Sequence, residues 1–117
     1  MKQVWDLLHI DDMVDLIDLQ IHDIEKFNGK VYNAGGGEKT SASLLEMTSI
    51  CEEITGNKIA ITAEKKNRPA DLRIFISDTS KIEKAINWKP QKSVHEIFND
   101  IFVWMKQHEK QLKDIFN

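Results

Sequence analysis

The sequence predicts a small mixed α/β fold, a short-stranded sheet with flanking helices. Three observations carry that class. Apolar residues recur at three- and four-residue spacing in several separate stretches, the mark of amphipathic helices. Short β-prone runs lie between those stretches. Gly, Asn or Pro stands at most of the switches from one pattern to the other. With 117 residues, 41% of them hydrophobic and 30% charged, the chain is one domain or one part of a domain.

Residues 4–10 (VWDLLHI) are apolar and β-prone and read as the first strand. Asp11 or Asp12 is placed to cap a helix running to about Lys26, with Val14, Ile17, Ile21 and Ile24 on one face. Asn28-Gly29 ends it, since both residues tolerate the left-handed conformation. Residues 30–34 (KVYNA) form a second strand that feeds Gly35-Gly36-Gly37. Ser43 opens the next helix, with Glu46 completing a capping box. Leu44, Met47, Cys51 and Ile54 line the inner face of that helix, and Gly56-Asn57 stops it. Residues 58–63 (KIAITA) alternate at the strand period. A polar turn, 64–71, leads into a strand at 72–77, and Asp78 caps a short helix through Ile86. Pro90 closes a loop. Ser93 and Glu96 form a second capping box, opening a last helix with Val94, Ile97, Phe98, Ile101, Met105 and Leu112 on one stripe. The predicted order is β-α-β-α-β-β-α-α, with no internal repeat, low-complexity stretch or linker. Strands this few and short read as the flank of a larger sheet.

Composition excludes several functions. A net charge of −3 with scattered Lys and Arg gives no basic surface for nucleic acid. The apolar runs are too short for a membrane span. The N-terminal MKQVWDLLHIDD lacks the apolar core of a signal peptide. One cysteine, Cys51, forms no internal disulfide and fits a reducing compartment, so a cytoplasmic address is expected. On the apolar face of its helix, Cys51 reads as an inert core thiol. His9, His22, His95 and His108 show no metal-ligand spacing, and no zinc site is expected.

The chemistry-bearing motifs fare unevenly. Gly35-Gly36-Gly37 fails the dinucleotide fingerprint, because Thr40 or Glu38 stands where glycine is needed, and fails the P-loop, because Glu38 replaces lysine. A glycine turn that lets the backbone pass close to a neighbour accounts for it. Asp11-Asp12 reads as helix capping in preference to an acid/base pair. Arg68 and Asp71 sit three apart around Pro69 in a polar turn. Taken alone, they are a surface salt bridge worth under about 1 kcal/mol. The other reading uses the guanidinium to grip a diphosphate through two parallel hydrogen bonds, with Asp71 accepting from sugar hydroxyls.

Several segments in order tip that balance. KQVWDLLHIDDMVD at 2–15, GKVYNAGGG at 29–37, SLLEMTSICEEITG at 43–56, RPAD at 68–71 and SDTSKIEKAINWKP at 77–90 resemble the substrate-binding end of the extended short-chain dehydrogenase/reductases. These are the NAD-dependent nucleotide-sugar epimerases and dehydratases. Among subfamilies the look is to the CDP-tyvelose (CDP-paratose) 2-epimerases. The resemblance covers about residues 2–106. It implies that the chain, 1–117, is the C-terminal substrate-binding portion of an extended Rossmann-type epimerase, without the dinucleotide-binding domain.

It also implies roles. Arg68 would bind the substrate diphosphate and Asp71 the nucleotide ribose, while His9 and Asp11-Asp12 would belong to the segment beside the cleft. The implied ligand is a nucleotide diphosphate sugar. The family's catalytic tyrosine has a lysine four residues on. Here the one tyrosine, Tyr32, is followed at that place by Gly36, so no catalytic residue is assigned. NAD belongs to the complete family enzyme and no residue of this chain is assigned to it. The family's arginine before Asp6 is replaced by Trp5, which removes a charge-assisted contact worth roughly 1.5–3 kcal/mol. Trp5 would instead stack on a base or on a partner domain, or mark a remnant chain that no longer binds sugar nucleotides. The expected partners are a separately encoded Rossmann-domain chain or a second copy, covering the apolar faces.

Overall fold

The computed structural model describes residues 3–64 and 69–116. Its elements are β1 (Val4–Asp6), α1 (Ile10–His22), α2 (Ile24–Phe27), a 3-10 turn (Glu38–Thr40), β2 (Ser41–Ser43), α3 (Leu44–Thr55), β3 (Ile74–Phe75), α4 (Ser80–Ile86), α5 (Val94–Gln107) and α6 (Glu109–Phe116). The sheet has the order β2-β1-β3. β1 runs antiparallel to β2, with Trp5 opposite Ala42, and parallel to β3, with Trp5 opposite Phe75. This is the expected small mixed sheet with flanking helices.

Local chemistry sets most helix ends as expected. Ser43 and Ser93 both close full capping boxes. The Ser43 N–H donates to Glu46 Oε2 at 2.7 Å and the Ser93 N–H to Glu96 Oε2 at 2.8 Å. Gly56 terminates α3 in the left-handed region, at φ 71°. Other ends differ from expectation. The first strand stops at Asp6, and His9 caps α1, its ring accepting the Asp11 N–H at 2.9 Å. That places Asp11 and Asp12 inside the first turn. The expected helix to Lys26 breaks at Asp23. Thr79, not Asp78, is the N-cap residue of α4, while Asp78 accepts the Ser80 N–H at 3.0 Å. The last stripe is divided between α5 and α6 at His108.

The strands depart furthest. Residues 30–34 and 58–63 form no ladder, and the run expected at 72–77 pairs only at Ile74–Phe75. β2, which was not expected, is three small residues long. A strand exists only with a neighbour to accept and donate its hydrogen bonds, and these two segments face none among the described residues.

Leu16, Ile82 and Trp88 form the core, with Leu8, Met13, Phe27, Tyr32 and Ile86 packed around them. α3 lies against α5, and His95 reaches Glu53 across that contact at 3.7 Å. The radius of gyration is 17.3 Å, against about 13 Å for a closed globule of this length. The layers are open on one side. Val14, Ile17, Ile21 and Ile24, expected on one helical face, are all exposed.

Candidate functional site

The glycine turn is the pivot of the site region. A Cβ on Gly36 would collide with the Leu7 carbonyl and the Thr40 hydroxyl. One on Gly35 would meet the Ser77 side chain and lie 2.7 Å from the Asp6 carboxylate. Gly37 has φ 70°. The turn therefore lets three chain segments pass in contact, as read from the sequence. Asp6 ties them together: its Oδ2 accepts the Gly37 N–H at 3.0 Å and the Ser77 N–H at 3.2 Å. Burial is the largest single influence on that carboxyl and pushes its pKa up. The Gly37 N–H with the Ser77 hydroxyl and N–H nevertheless hold it below the usual aspartate value. With its N–H occupied by a carboxylate and its Cβ space filled, this turn does not fit a dinucleotide's pyrophosphate.

Asp6 also fixes the chain that carries β3, and so places Phe75 beside Trp5. Their ring centroids are 6.1 Å apart with planes inclined at 46°. The Trp5 indole N–H donates to the Leu72 carbonyl at 3.2 Å. The Gln3 amide, on the same side of β1 by strand alternation, donates to Asp71 Oδ2 at 2.7 Å. Ala70, between Pro69 and Asp71, has φ 67°, a left-handed backbone that costs an alanine roughly 1–2 kcal/mol.

Of the four expected site residues, Trp5 and Asp71 are brought together on the β1–β3 side of the sheet. Arg68 lies outside the described residues. His9 stands apart. It is buried, and because its Nδ1 accepts the Asp11 N–H, its proton sits on Nε2, which donates to Asp100 Oδ2 at 3.1 Å. Lys92 Nζ reaches the same oxygen at 3.2 Å. That hydrogen bond holds the Asp100 carboxyl below its usual pKa and raises that of Lys92. The group borders an open pocket of about 660 Å³ between α1 and α5, lined by Asp11, Ile101 and Trp104. A second hollow, about 570 Å³, lies beside the glycine turn and is lined by Lys39, Asp78, Thr79 and Lys89. Neither includes Trp5 or Asp71. Among the described residues no group of three acidic, Cys or His side chains is placed to hold a metal ion.

Sequence reasoning missed what Asp12 does. Its carboxylate is buried and accepts the Gln91 N–H at 3.0 Å and the Lys92 N–H at 3.1 Å. Its carbonyl accepts the Trp88 indole N–H at 3.2 Å. Asp12 thereby holds the Trp-Lys-Pro loop against α1 and sets where α5 begins. Partners this far along the chain leave no local signal.

Comparison with known proteins follows the same segments. Residues 1–101 match the family described as GDP-mannose 4,6 dehydratase. CDP-paratose 2-epimerase of Salmonella typhi is 33% identical over 103 residues, covering 88% of this chain and 30% of that protein. UDP-glucose 4-epimerase 2 of Arabidopsis thaliana is also 33% identical over 103 residues, covering 86% of this chain and 29% of that protein. The structure resembles that of UDP-glucuronic acid 4-epimerase from Bacillus cereus, solved with UDP-glucuronic acid and NAD. The TM-score is 0.76 at 28% identity, covering 90% of this chain and 32% of that one. The chain spans about 30% of the length of the curated relatives it matches.

Proposed function

This chain belongs to the NAD-dependent nucleotide-sugar epimerase/dehydratase superfamily, and on that premise we propose that it is the nucleotide-sugar-binding, C-terminal portion of such an enzyme. In our reading it is CDP-tyvelose 2-epimerase-like and inactive alone. The observation that carries this is the juncture of two segments far apart in sequence. Gln3 binds Asp71 and Trp5 binds Leu72, so the strand of one family segment and the described end of the RPAD segment, at Asp71, share one exposed surface.

In this reading Arg68 grips the ligand's diphosphate and Asp71 contacts the ribose. Hydride transfer requires NAD, and the glycine turn of this chain does not fit it. In this reading NAD and the proton-exchanging residues are supplied by a dinucleotide-binding domain, and none of them is assigned to this chain.

Titration with CDP, UDP, dTDP and GDP tests the site. Arg68→Ala weakens binding about ten- to a hundredfold, the value of a charge-assisted contact, and Trp5→Arg strengthens it. Absence of binding by wild type and both variants refutes the reading. Incubation with NAD and CDP- or UDP-sugars gives no turnover; measurable epimerisation refutes inactivity.

A second reading is favoured by the bare stripe on α1: a non-catalytic module that associates with itself, or one chain of a split epimerase that binds a separate Rossmann-domain chain. Light scattering decides the first. A strictly monomeric, well-folded protein counts against self-association.

A further inference from the structure

The rings of the four histidines are not bonded alike. Nδ1 of His22 lies 2.9 Å from the Asp18 carbonyl, and Nδ1 of His108 lies 2.8 Å from the Trp104 carbonyl. A carbonyl only accepts, so in both rings Nδ1 carries the proton. A second proton, on Nε2, leaves that bond intact. His9 is the opposite case. Its Nδ1 accepts the Asp11 N–H at 2.9 Å, while its Nε2 donates to Asp100. Only the neutral ring can make this pair of bonds. In the imidazolium both nitrogens are donors, and a proton on Nδ1 would meet the Asp11 N–H donor to donor.

A replacement acceptor stands beside the ring. Asp11 Oδ2 is 3.7 Å from His9 Nδ1, on a side chain that is 69% exposed. Rotation in solvent can close that gap. The charged groups facing the buried ring are Asp11 on α1, Asp100 on α5 and Lys92 on the loop before α5. Asp12 and Glu96, nearby, are committed to the backbone N–H groups of Gln91, Lys92 and Ser93. Two carboxylates against one ammonium give a charged ring partners where it stands.

We propose that His9 is a proton-operated cap of α1. When the ring is neutral, Nδ1 accepts the Asp11 N–H. When it is protonated, the same nitrogen donates to the Asp11 carboxylate, and the first turn of the helix loses its cap. The Nε2–Asp100 bond persists in both states, so one hydrogen bond is exchanged and the ring stays in place. The Asp11 carboxylate lines the open pocket between α1 and α5, and the exchange draws it to the ring and neutralises its charge. Histidine is the side chain suited to such a change between pH 5 and 8. The switch belongs to the α1–α5 junction and stands whether or not a nucleotide sugar binds.

The test is nuclear magnetic resonance of the whole chain from pH 8 to pH 5. The ring nitrogens of His9 are assigned by their loss in His9→Asn. At pH 8 the His9 ring shows its proton on Nε2, and His22 and His108 show theirs on Nδ1. As pH falls, the Asp11 amide signal moves in step with the His9 ring. Hydrogen exchange in the first turn of α1, corrected for its intrinsic pH dependence, speeds up about two- to thirtyfold, the value of a helix cap. In His9→Asn, whose amide oxygen caps without titrating, the Asp11 amide and the exchange rates stay constant over this range. Asp11→Asn tests the exchange without touching the ring. It keeps the backbone cap, removes the ionised acceptor, and shifts the His9 charge change to lower pH.

A His9 ring protonated on Nδ1 at pH 8 overturns the proposal. So does a ring that stays neutral to pH 5, or one that titrates while the Asp11 amide stays still. An Asp11 amide that moves equally in His9→Asn overturns it as well.

Discussion

Asp12 and Leu16 lie on one side of α1, and Val14, Ile17 and Ile21 on the other. The first two are each 3% exposed, whereas Ile21 is 69% exposed. Hydropathy would assign the reverse, a carboxylate outside and isoleucines within. The difference lies in what each side faces. Asp12 meets two backbone N–H groups and, through its carbonyl, the Trp88 indole. A buried polar group with its partners in place costs little, and one without them costs much. The isoleucines meet nothing among the described residues that would take them out of water. Burial on this helix is a property of the neighbour, and the two sides can be told apart by substitution.

The largest effect is expected at the centre of the covered side. Trp88→Ala removes a 5% exposed indole and leaves Leu16 and Ile82 around a cavity. The expected loss is about 3–5 kcal/mol, most of the stability of a domain at the low end of the usual range. The check is the midpoint of urea unfolding followed by circular dichroism. Asp12→Asn comes next, because an amide offers one acceptor where the loop supplies two donors. One of the Gln91 and Lys92 N–H groups then loses its bond, for a loss of about 1–3 kcal/mol. A Trp88 signal that broadens while the sheet stays intact would localise the damage to the loop.

Asp6 allows a sharper comparison, because its contribution can be switched by pH. Its carboxyl is held below the ordinary value in the folded chain. Its stabilisation is therefore complete well above the unfolded pKa of about 3.9, and is lost as pH falls through the depressed folded pKa. Asp6→Asn should cost about 1–2 kcal/mol at neutral pH. That difference should begin to shrink below about pH 4, where the unfolded chain starts to protonate the same group. Paired unfolding curves at pH 7 and pH 3 read it, and a gap that stays constant would remove charge from the account of the Gly37 and Ser77 contacts.

What the sequence made legible follows the same division. Features set within a few residues were readable: the capping boxes at Ser43 and Ser93, the stop at Gly56, the close-packed glycine turn. Features set by a distant neighbour were not. The runs 30–34 and 58–63 have strand composition, but a ladder needs a second chain segment beside it. Periodicity on α1 found the apolar face and could not say whether anything covers it. His9 as a helix cap escaped because histidine is an uncommon choice there. The pairing of Trp5 with the Asp71 turn came from no local pattern; it became an expectation only when five segments were read in order as a family resemblance.

The smallest effect on stability, and the most informative about the bare side, is expected for Ile17→Lys with Ile21→Lys. Both side chains are exposed, so in an isolated chain the pair should change unfolding free energy by no more than about 0.5 kcal/mol each. If a second copy or a partner chain covers the stripe, each isoleucine buried there contributes about 1.5–3 kcal/mol to the association, and a lysine in its place must keep its charge in water. The expected result is therefore a split: an unchanged unfolding midpoint at high dilution, and a mass by light scattering that falls from an assembly to a single chain. Leu16→Lys, one residue from Ile17 but on the covered side, should unfold the protein at any concentration. An assembly that survives both stripe substitutions would mean that association uses another surface. A wild-type mass already equal to one chain would mean that the stripe awaits a partner of different sequence.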